Sequence, residues 1–357
     1  MNMDIKIADK VVGLNHPVYF IADIAANHDG SLERAKDLVR LAKEAGADAA
    51  KFQNFRAPKI VSDYGFNHMG KQVSHQSTWK KSVSEVYQDA SIPFEWTPVL
   101  KETCDQLGIH YFSSPYDFEA IDMLEPYVPA YKIGSGEITW IEALVRMASK
   151  GKPIILATGA SDIGEVQKAV DAILTNNKEC VLMQCNTNYT ASLENFSHIH
   201  LRVLETYRLM YPDLVLGLSD HTPGYATVLG AVTLGARMIE KHFTDDIKRD
   251  GPDHKFSMTP EGWAEMVNNT RQLERALGSA NKFVAGNEME TVIVQRRCLR
   301  ASRDIKAGQL ITRDLIDVLR PATPGAIRPD EIQSVLGTHA LVDIAQGKDL
   351  RWTMFGE

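Results

Sequence analysis

The sequence predicts a (β/α)8 barrel followed by a small β-rich domain, and three observations carry that expectation. Short β-rich runs alternate with longer amphipathic helical patterns from residue 18 onward. The unit recurs eight times over about 260 residues, the usual count and length of that fold. Beyond about residue 279 the long helical patterns stop.

The first unit pairs "VYFIADIA" with "SLERAKDLVRLAKEAG", in which Leu32, Ala35, Leu38, Val39 and Ala42 recur at helical spacing. Strands are expected at 18–25, 49–53, 109–115, 130–136, 153–159, 180–186, 214–221 and 237–243. Helices are expected at 31–45, 95–107, 117–126, 162–174, 197–210, 223–235 and 260–277. A doubly wound open sheet is the competing architecture. Its phosphate-binding GxGxxG is missing after the first strand, and "KIGSGE" at 132–137 supplies only a GxG. The stretch "CLRASRDIKAGQLITRDLIDVLRPATPGAIRPDEI" has short strands, turn residues and scattered proline. The expected division is a barrel over 1–280, a linker at 281–297 and a small domain over 298–357. A domain of about 60 residues is marginal alone and is expected to lean on a neighbour.

Composition narrows the function. The 357 residues are 44% hydrophobic and 24% charged, ordinary for a globular protein, and the net charge is −7. No long Lys/Arg block occurs, which argues against nucleic acid or an anionic membrane surface as partner, though a local basic pocket for an anionic small molecule fits. No apolar stretch approaches the length of a membrane span. Cys104, Cys180, Cys185 and Cys298 lack metal or redox spacing, and "MNMDIKIADK" lacks the apolar core of a signal peptide. A reduced, cytoplasmic protein is expected.

Ionisable residues gather where the strands end. Residues two apart share a face of a strand, and one face of a barrel strand points inward. Met238, Glu240 and His242 share one face; so do Gly217, Ser219 and His221, then Lys51 and Gln53, then Lys132 and Gly134, while Asp23 falls opposite Ile24. All lie near the C-terminal ends of their strands, where barrel enzymes carry their chemistry. The last strand neighbours the first and seventh in a closed barrel, so His221, His242 and Asp23 fall within reach of one divalent ion. The competing reading of each histidine is a hydrogen-bonded structural role. His28 and His254 are loop residues that bind substrate or fix a turn. Lys51 and Lys132, pointing inward, require anions: a phosphate or carboxylate of a ligand, or else an internal salt bridge to Glu137, Glu240 or Asp253. Ser113, Ser114, Ser135, Thr158 and the "GSG" backbone offer neutral donors for oxyanions.

Six motifs, "ADIAANHDG", "KFQNF", "AYKIGSGE", "LATGAS", "GLSDHTPG" and "EKHFTDD…GPDHKFSM", resemble in order those of the sialic acid (nonulosonic acid) synthase family. The stretch from "LRASRDIKAG" to "LRPATPGAIRP" resembles that family's antifreeze-like (SAF) domain. The resemblance implies a TIM barrel that binds phosphoenolpyruvate and an open-chain N-acylated hexosamine. It implies a divalent metal, Mn2+ first and Mg2+ or Co2+ as alternatives, on His221 and His242. It assigns Lys51, Lys132, Ser135 and Ser219 to the phosphate and carboxylate of phosphoenolpyruvate, and Gln53, Tyr189 and Asp253 to the sugar or metal side. Glu137 matches a carboxylate that serves the intermediate, and Arg320 an arginine that a domain-swapped homodimer places over the partner's sugar site. Asp23 stands where the family usually has Glu, as a catalytic carboxylate one methylene shorter. Ser114, Thr158, Thr187 and Glu240 complete the expected substrate contacts. Two further departures bear on the sugar: "NYTAS" stands where the family usually reads Tyr-Pro-Thr-Pro, and residues 62–96 form a distinctive loop after the second strand.

The implied reaction condenses phosphoenolpyruvate with the sugar aldehyde and releases phosphate by C–O cleavage, giving a nine-carbon 3-deoxy-2-keto acid. The sugar is N-acetylmannosamine or a 2,4-diacetamido-trideoxyhexose of the legionaminic or pseudaminic type. The rival enzyme is another metal-dependent barrel aldolase, lyase or hydrolase acting on a phosphorylated or keto-acid substrate. A third reading, a surface-binding module on an inert barrel, leaves the polar strand ends idle at a high cost in buried charge.

Overall fold

The computed structural model describes residues 4–70 and 75–356, and the side chains of His75 and Thr78 lie outside that description. The chain divides into two compact units, Met1–Gly278 and Ser279–Glu357. A two-stranded hairpin, β1 (Ile5–Ile7) and β2 (Lys10–Val12), opens the first unit. Eight parallel strands follow: β3 (Tyr19–Asp23), β4 (Ala49–Asn54), β5 (His110–Pro115), β6 (Tyr131–Ile133), β7 (Ile154–Ala157), β8 (Cys180–Cys185), β9 (Val215–Asp220) and β10 (Met238–His242). They run in the order β5-β4-β3-β10-β9-β8-β7-β6. Strands β5 and β6 lie side by side without a hydrogen-bonded ladder, so the barrel is closed but for that seam. All eight strands fall at the expected places, and a barrel rather than an open sheet is what they form.

Several of the helices after the strands begin where a short polar side chain caps them. Ser31 accepts from Arg34 N before Leu32–Glu44, Asp117 accepts from Ala120 N before Phe118–Leu124, and Asp162 with Glu165 builds a capping box before Ile163–Asn176. The helix Ile141–Ala148 was absent from the sequence expectation. Trp140 at its N-cap makes no side-chain bond, and burial of Ala143, Leu144, Met147 and Ala148 holds this eight-residue helix. Short helices at Asp63–His68 and Val83–Ala90 lie within residues 62–96, read as a loop, and Ala57–Ile60 precedes them; residues 71–74 lie outside the described residues.

Strand alternation sorts the core into two. Outward residues such as Phe20, Phe52, Leu156, Leu218 and Ile239 pack against the helices. Inward residues Tyr19, Ile21, Ala49, Phe112, Ile155, Val181, Met183, Val215 and Met238 form a separate apolar cluster with Ile5, Ile7 and Val12. The hairpin therefore plugs the barrel's N-terminal end, and polar groups are pushed to the other. Gly217 keeps the interior passable for its neighbours: a Cβ there would come within 2.8 Å of the Met238 carbonyl and 3.0 Å of Met183.

In the second unit β11 (Cys298–Ala301) pairs with β12 (Ile316–Leu319) and β13 (His339–Ala340) with β14 (Phe355–Gly356), around a core that includes Leu299, Ile311, Ile316, Ile327, Val335 and Leu350. Residues 281–297, read as a linker, belong to this unit and include the helix Met289–Val294. Arg320, directly after β12, is exposed.

Candidate active site

One residue above the apolar plug, each of several strands turns from hydrocarbon to charge. Asp23 follows Ile21 on β3, Lys51 follows Ala49 on β4, and Glu240 follows Met238 on β10. Register brings them together, because Asp23 pairs across to Lys51 and to His242, and Glu240 to Ser219. Lys51 Nζ lies 2.6 Å from Asp23 Oδ2 and 3.8 Å from Glu240 Oε1, and Lys132 Nζ lies 3.2 Å from that same Glu240 oxygen. Ser219 Oγ donates to it at 3.2 Å. Glu240 Oε2 is buried with no hydrogen-bond partner. Burial alone would weaken the hold of Lys51 on its proton, but the Asp23 and Glu240 carboxylates outweigh it and raise its pKa. Of the three carboxylates considered as internal partners, only Glu240 contacts either lysine; the closest pair is with Asp23.

Gln53 and Ser114 stand opposite each other on β4 and β5. Gln53 donates weakly to Asp23 Oδ2 at 3.5 Å, while the Ser114 hydroxyl is buried without a partner. Ser135 follows β6 and accepts from Gly159 N at 2.9 Å. A Cβ on Gly159 would meet Thr187 at 2.6 Å, Ser135 at 3.0 Å and Cys185 at 3.2 Å, so glycine is what lets these three converge. Thr158 is not brought to the cluster. It has the parity of Ile154 and Leu156, and its hydroxyl donates to the Met183 carbonyl and accepts from Tyr207. Burial pushes Glu137 up to about 7, against the pull of Lys132.

His221 and His242 lie with ring centroids 5.3 Å apart. The Nδ1 of His221 bonds to the Asn186 carbonyl at 2.8 Å, and the ring also meets the Cys185 thiol, so its orientation is fixed from two sides. His242 Nδ1 is buried without a hydrogen-bond partner, 4.0 Å from Asp253 Oδ2, and its Nε2 lies 3.7 Å from Asp23 Oδ2. Burial, with His221 and Lys51 as charged neighbours, pushes His242 well below the ordinary imidazole range, so it is neutral with a lone pair to offer. For His221 burial is outweighed by the Cys185 thiol and the Asn186 carbonyl, which raise it. Among the described residues no three His, Cys, Asp or Glu groups are arranged to hold a metal ion. Two histidine side chains are what this group could offer an ion, and Asp23 is paired instead with Lys51.

Above the histidines Tyr189 and Phe256 form an aromatic layer, with Tyr189 4.5 Å from His221 and Phe256 5.0 Å from His242 between centroids. That layer also lines a cleft of about 1370 Å³ walled by residues 26–30, 79–90, 188–198 and 249–256. The ion cluster lies beneath this cleft rather than in its wall. Asp253 Oδ2 accepts from Ala26 N at 3.1 Å, and burial, reinforced by the Asp23 charge, pushes its carboxyl up to about 6.

A clamp not foreseen from the sequence fixes the Asp253 loop. Asp29 accepts from His254 Nε2 at 2.9 Å and pairs with Arg249 at 2.7 Å and Arg34 at 3.1 Å, while both guanidinium ends of Arg34 grip Asp245. Asn27 donates to the Phe243 carbonyl and to Ser257 Oγ, each at 2.9 Å. His254 accordingly serves this clamp, and His28, bonded to Gly30 N and edge-on to Trp96, fixes its own turn. Asp29 and Ala25 both adopt left-handed backbone, with φ of +51° and +46°, which aims the segment at the loop. "NHDG" was the only signal, a turn motif, and it does not reveal partners 220 residues away.

The NeuB family model matches residues 38–282 and the SAF domain model residues 296–356. The chain is 35% identical to the N,N'-diacetyllegionaminic acid synthase of Legionella pneumophila over 95% of each chain. It is 31% identical to the human N-acetylneuraminate-9-phosphate synthase over 94% of this chain and 92% of that one. A crystal structure of N-acetylneuraminic acid synthetase from Leptospira borgpetersenii superposes with a TM-score of 0.71 at 27% identity, covering 82% of this chain and 96% of that one. With the strand-end lysines and histidines in place and the C-terminal unit matched as well, the chain belongs to the NeuB family and carries a SAF domain at its C-terminal end.

Proposed function

We propose that the chain is a nonulosonic acid synthase that condenses phosphoenolpyruvate with an open-chain N-acylated hexosamine. The observation that carries this reading is the pair of buried lysines, Lys51 and Lys132, held on carboxylates beside two histidines at the barrel mouth. A phosphate and a carboxylate arriving there exchange places with Asp23 and Glu240 as the lysines' partners, at little cost because the ammonium groups are already desolvated and oriented. Ser135, Ser219 and Ser114 add neutral donors around the same space. Lys51, whose carboxylate neighbours hold it as ammonium, does not suit a Schiff-base aldolase, which needs a neutral amine.

C3 of phosphoenolpyruvate attacks the sugar aldehyde, forming the C–C bond, and the aldehyde oxygen takes a proton to become a hydroxyl. Water adds to the cation left at C2 and loses a proton; the resulting hemiketal phosphate breaks its C2–O bond to give the ketone and phosphate. Asp23 and Glu240 stabilise positive charge developing at C2, and Lys51 and Lys132 stabilise the departing phosphate. Glu137, with a carboxyl near neutrality, holds the proton that the leaving group requires. A divalent cation on His221 and His242, Mn2+ first and Mg2+ or Co2+ as alternatives, would supply Lewis-acid polarisation of the aldehyde. Gln53, Thr187, Tyr189 and Asp253 face the sugar side; Thr158 supports the wall through Tyr207.

The test is phosphate release that requires both phosphoenolpyruvate and a sugar, with phosphoenolpyruvate labelled by heavy oxygen at its bridging position. Label in the released phosphate supports C–O cleavage; label kept in the keto acid, or no release with any N-acylated hexosamine, removes the reading. We further propose that the enzyme works in the reduced cytoplasm, in keeping with four buried free cysteines, as a domain-swapped homodimer in which Arg320 serves the partner's sugar. Arg320→Ala and Asp23→Asn subunits, unfolded and refolded together, should regain about a quarter of wild-type activity through mixed dimers. No recovery with mixed dimers demonstrated would assign Arg320 to its own barrel.

A further inference from the structure

Tyr116 directly follows β5, in the inward parity of Phe112 and Ser114, and the protein has no use of its own for its hydroxyl. The next residue, Asp117, caps a helix through Ala120 N at 2.8 Å and takes Arg56 at 2.9 Å, which fixes the backbone at this point. The ring is held too, edge-on to buried Phe55 at 5.8 Å, and Phe55 packs on Tyr87 at 5.3 Å. A phenylalanine would make these ring contacts equally well. Tyr116 is half-buried, and among the described residues no hydrogen bond engages its hydroxyl. A polar group kept out of bulk water without a protein partner points to a ligand.

That hydroxyl lies beside the chemistry. A Cβ built on Gly134 would fall 2.8 Å from Glu137 Oε2 and 3.4 Å from the Tyr116 oxygen, so the two oxygens flank one gap that a side chain at 134 would close. Desolvation, and after it the Glu137 charge, push the phenol well above its ordinary pKa, so it keeps its proton and serves as a donor. Lys132, on the strand that leads to Gly134, supplies the positive charge that Glu137 feels. A neutral donor, a carboxyl near neutrality and an ammonium form a set that suits an oxyanion. The acyl and hydroxyl groups of a sugar would not call for the ammonium.

Resting on the synthase reading, we infer that Tyr116 is a further binding residue for phosphoenolpyruvate, its hydroxyl donating a hydrogen bond to the phosphate that Glu137 protonates as it leaves. The phenol keeps its own proton throughout, so the course of the reaction is unchanged. Its part is to hold the ester in the gap beside Glu137.

Calorimetric titration of phosphoenolpyruvate into the full chain, with Mn2+ present and no sugar, tests this contact without turnover. Tyr116→Phe keeps the ring against Phe55 and should weaken phosphoenolpyruvate binding about tenfold, the scale of one hydrogen bond to a charged group. In phosphate release the KM for phosphoenolpyruvate should rise by a similar factor, while the KM for N-acetylmannosamine or a 2,4-diacetamido-trideoxyhexose, whichever is turned over, stays unchanged. Wild-type affinity in Tyr116→Phe overturns the inference. So does a rise in the KM of the sugar instead, which would assign the hydroxyl to the sugar, or an equal rise in both, which would make Tyr116 a packing residue only. A wild-type chain that binds no phosphoenolpyruvate is a different result: it removes the synthase reading itself, and this inference falls with it.

Discussion

Two buried lysine–aspartate pairs sit toward the C-terminal ends of the barrel strands, one on each face of the sheet, and they are built for different ends. Lys241 points outward from β10; its ammonium is bonded to Asp220 and the Thr222 carbonyl, and Asp220 accepts further bonds from Thr222 and Thr227. Lys51 points inward from β4 to Asp23, in a group where Glu240 Oε2 and His242 Nδ1 have no hydrogen-bond partner. Burial is the same, at 2% exposure for both lysines, so burial of charge does not distinguish a structural pair from a site. Saturation does. The outer pair has every polar atom accounted for, whereas the inner group keeps acceptors and donors open at a cost that only a ligand recovers.

The comparison breaks most sharply on paired substitutions. Lys241→Met should strand Asp220 and lower stability by about 3–5 kcal/mol, while the folded fraction keeps its kcat. Lys132→Ala should lower kcat/KM by about 10³ with a much smaller loss of stability, because Lys51 remains to share Glu240. Urea denaturation and phosphate release on both variants check this. If Lys132→Ala is the less stable protein, the inner group is a structural network and the distinction fails.

Asp23 comes next in size. Asn in its place keeps the hydrogen bond from Ala25 N but leaves Lys51 without its nearest counter-charge, and kcat should fall by about 10². A variant with near wild-type turnover would place Asp23 with the structural pairs. Removal of metal is the parallel test of the histidines. Chelation should abolish release, Mn2+ should restore it, and His221→Ala or His242→Ala should not be restored at the same concentration. Melting temperature should hardly move, since the cluster sits above a core that is complete without it. Full turnover in excess chelator would leave His242 Nδ1 as an unexplained vacancy in hydrogen bonding.

What the sequence disclosed follows the same division. All eight barrel strands and the inward placement of Lys51, Lys132, Glu240 and His242 were legible, because a two-residue period maps directly onto a face. Parity gives the face and not the partner. It left the choice among Glu137, Glu240 and Asp253 open for the lysines, and Asp23, the nearest acceptor of Lys51, emerged only with strand register. Thr158 shows the complementary miss. A hydroxyl beside a strand end counts as a donor to the site only until its own parity and Tyr207 are considered. The Asp29 clamp joins residues more than two hundred positions apart, so no local pattern announces it.

The smallest expected effect sharpens the comparison on one group, Glu137. Burial pushes its carboxyl up to about 7 from an ordinary value near 4.5, so it holds its proton below neutrality and loses it above. If that proton serves the departing phosphate, kcat should fall as pH rises past about 7. An anionic substrate on Lys132 removes the one charge that opposes the upward shift, so the midpoint should lie higher in kcat than in kcat/KM. Glu137→Gln should lose about tenfold in kcat and lose this limb of the profile as well. Stability gives an independent sign. A carboxyl whose folded-state pKa is raised binds its proton more tightly in the native state, so stability falls between about pH 4.5 and 7 and is flat above. Glu137→Gln, which carries no such charge, should therefore gain on the wild type as pH rises from 5 to 8. A limb that survives in the glutamine variant would move the essential proton to another group, and a stability gap that does not grow with pH would show that Glu137 is ionised at little cost, as a solvated surface carboxylate is.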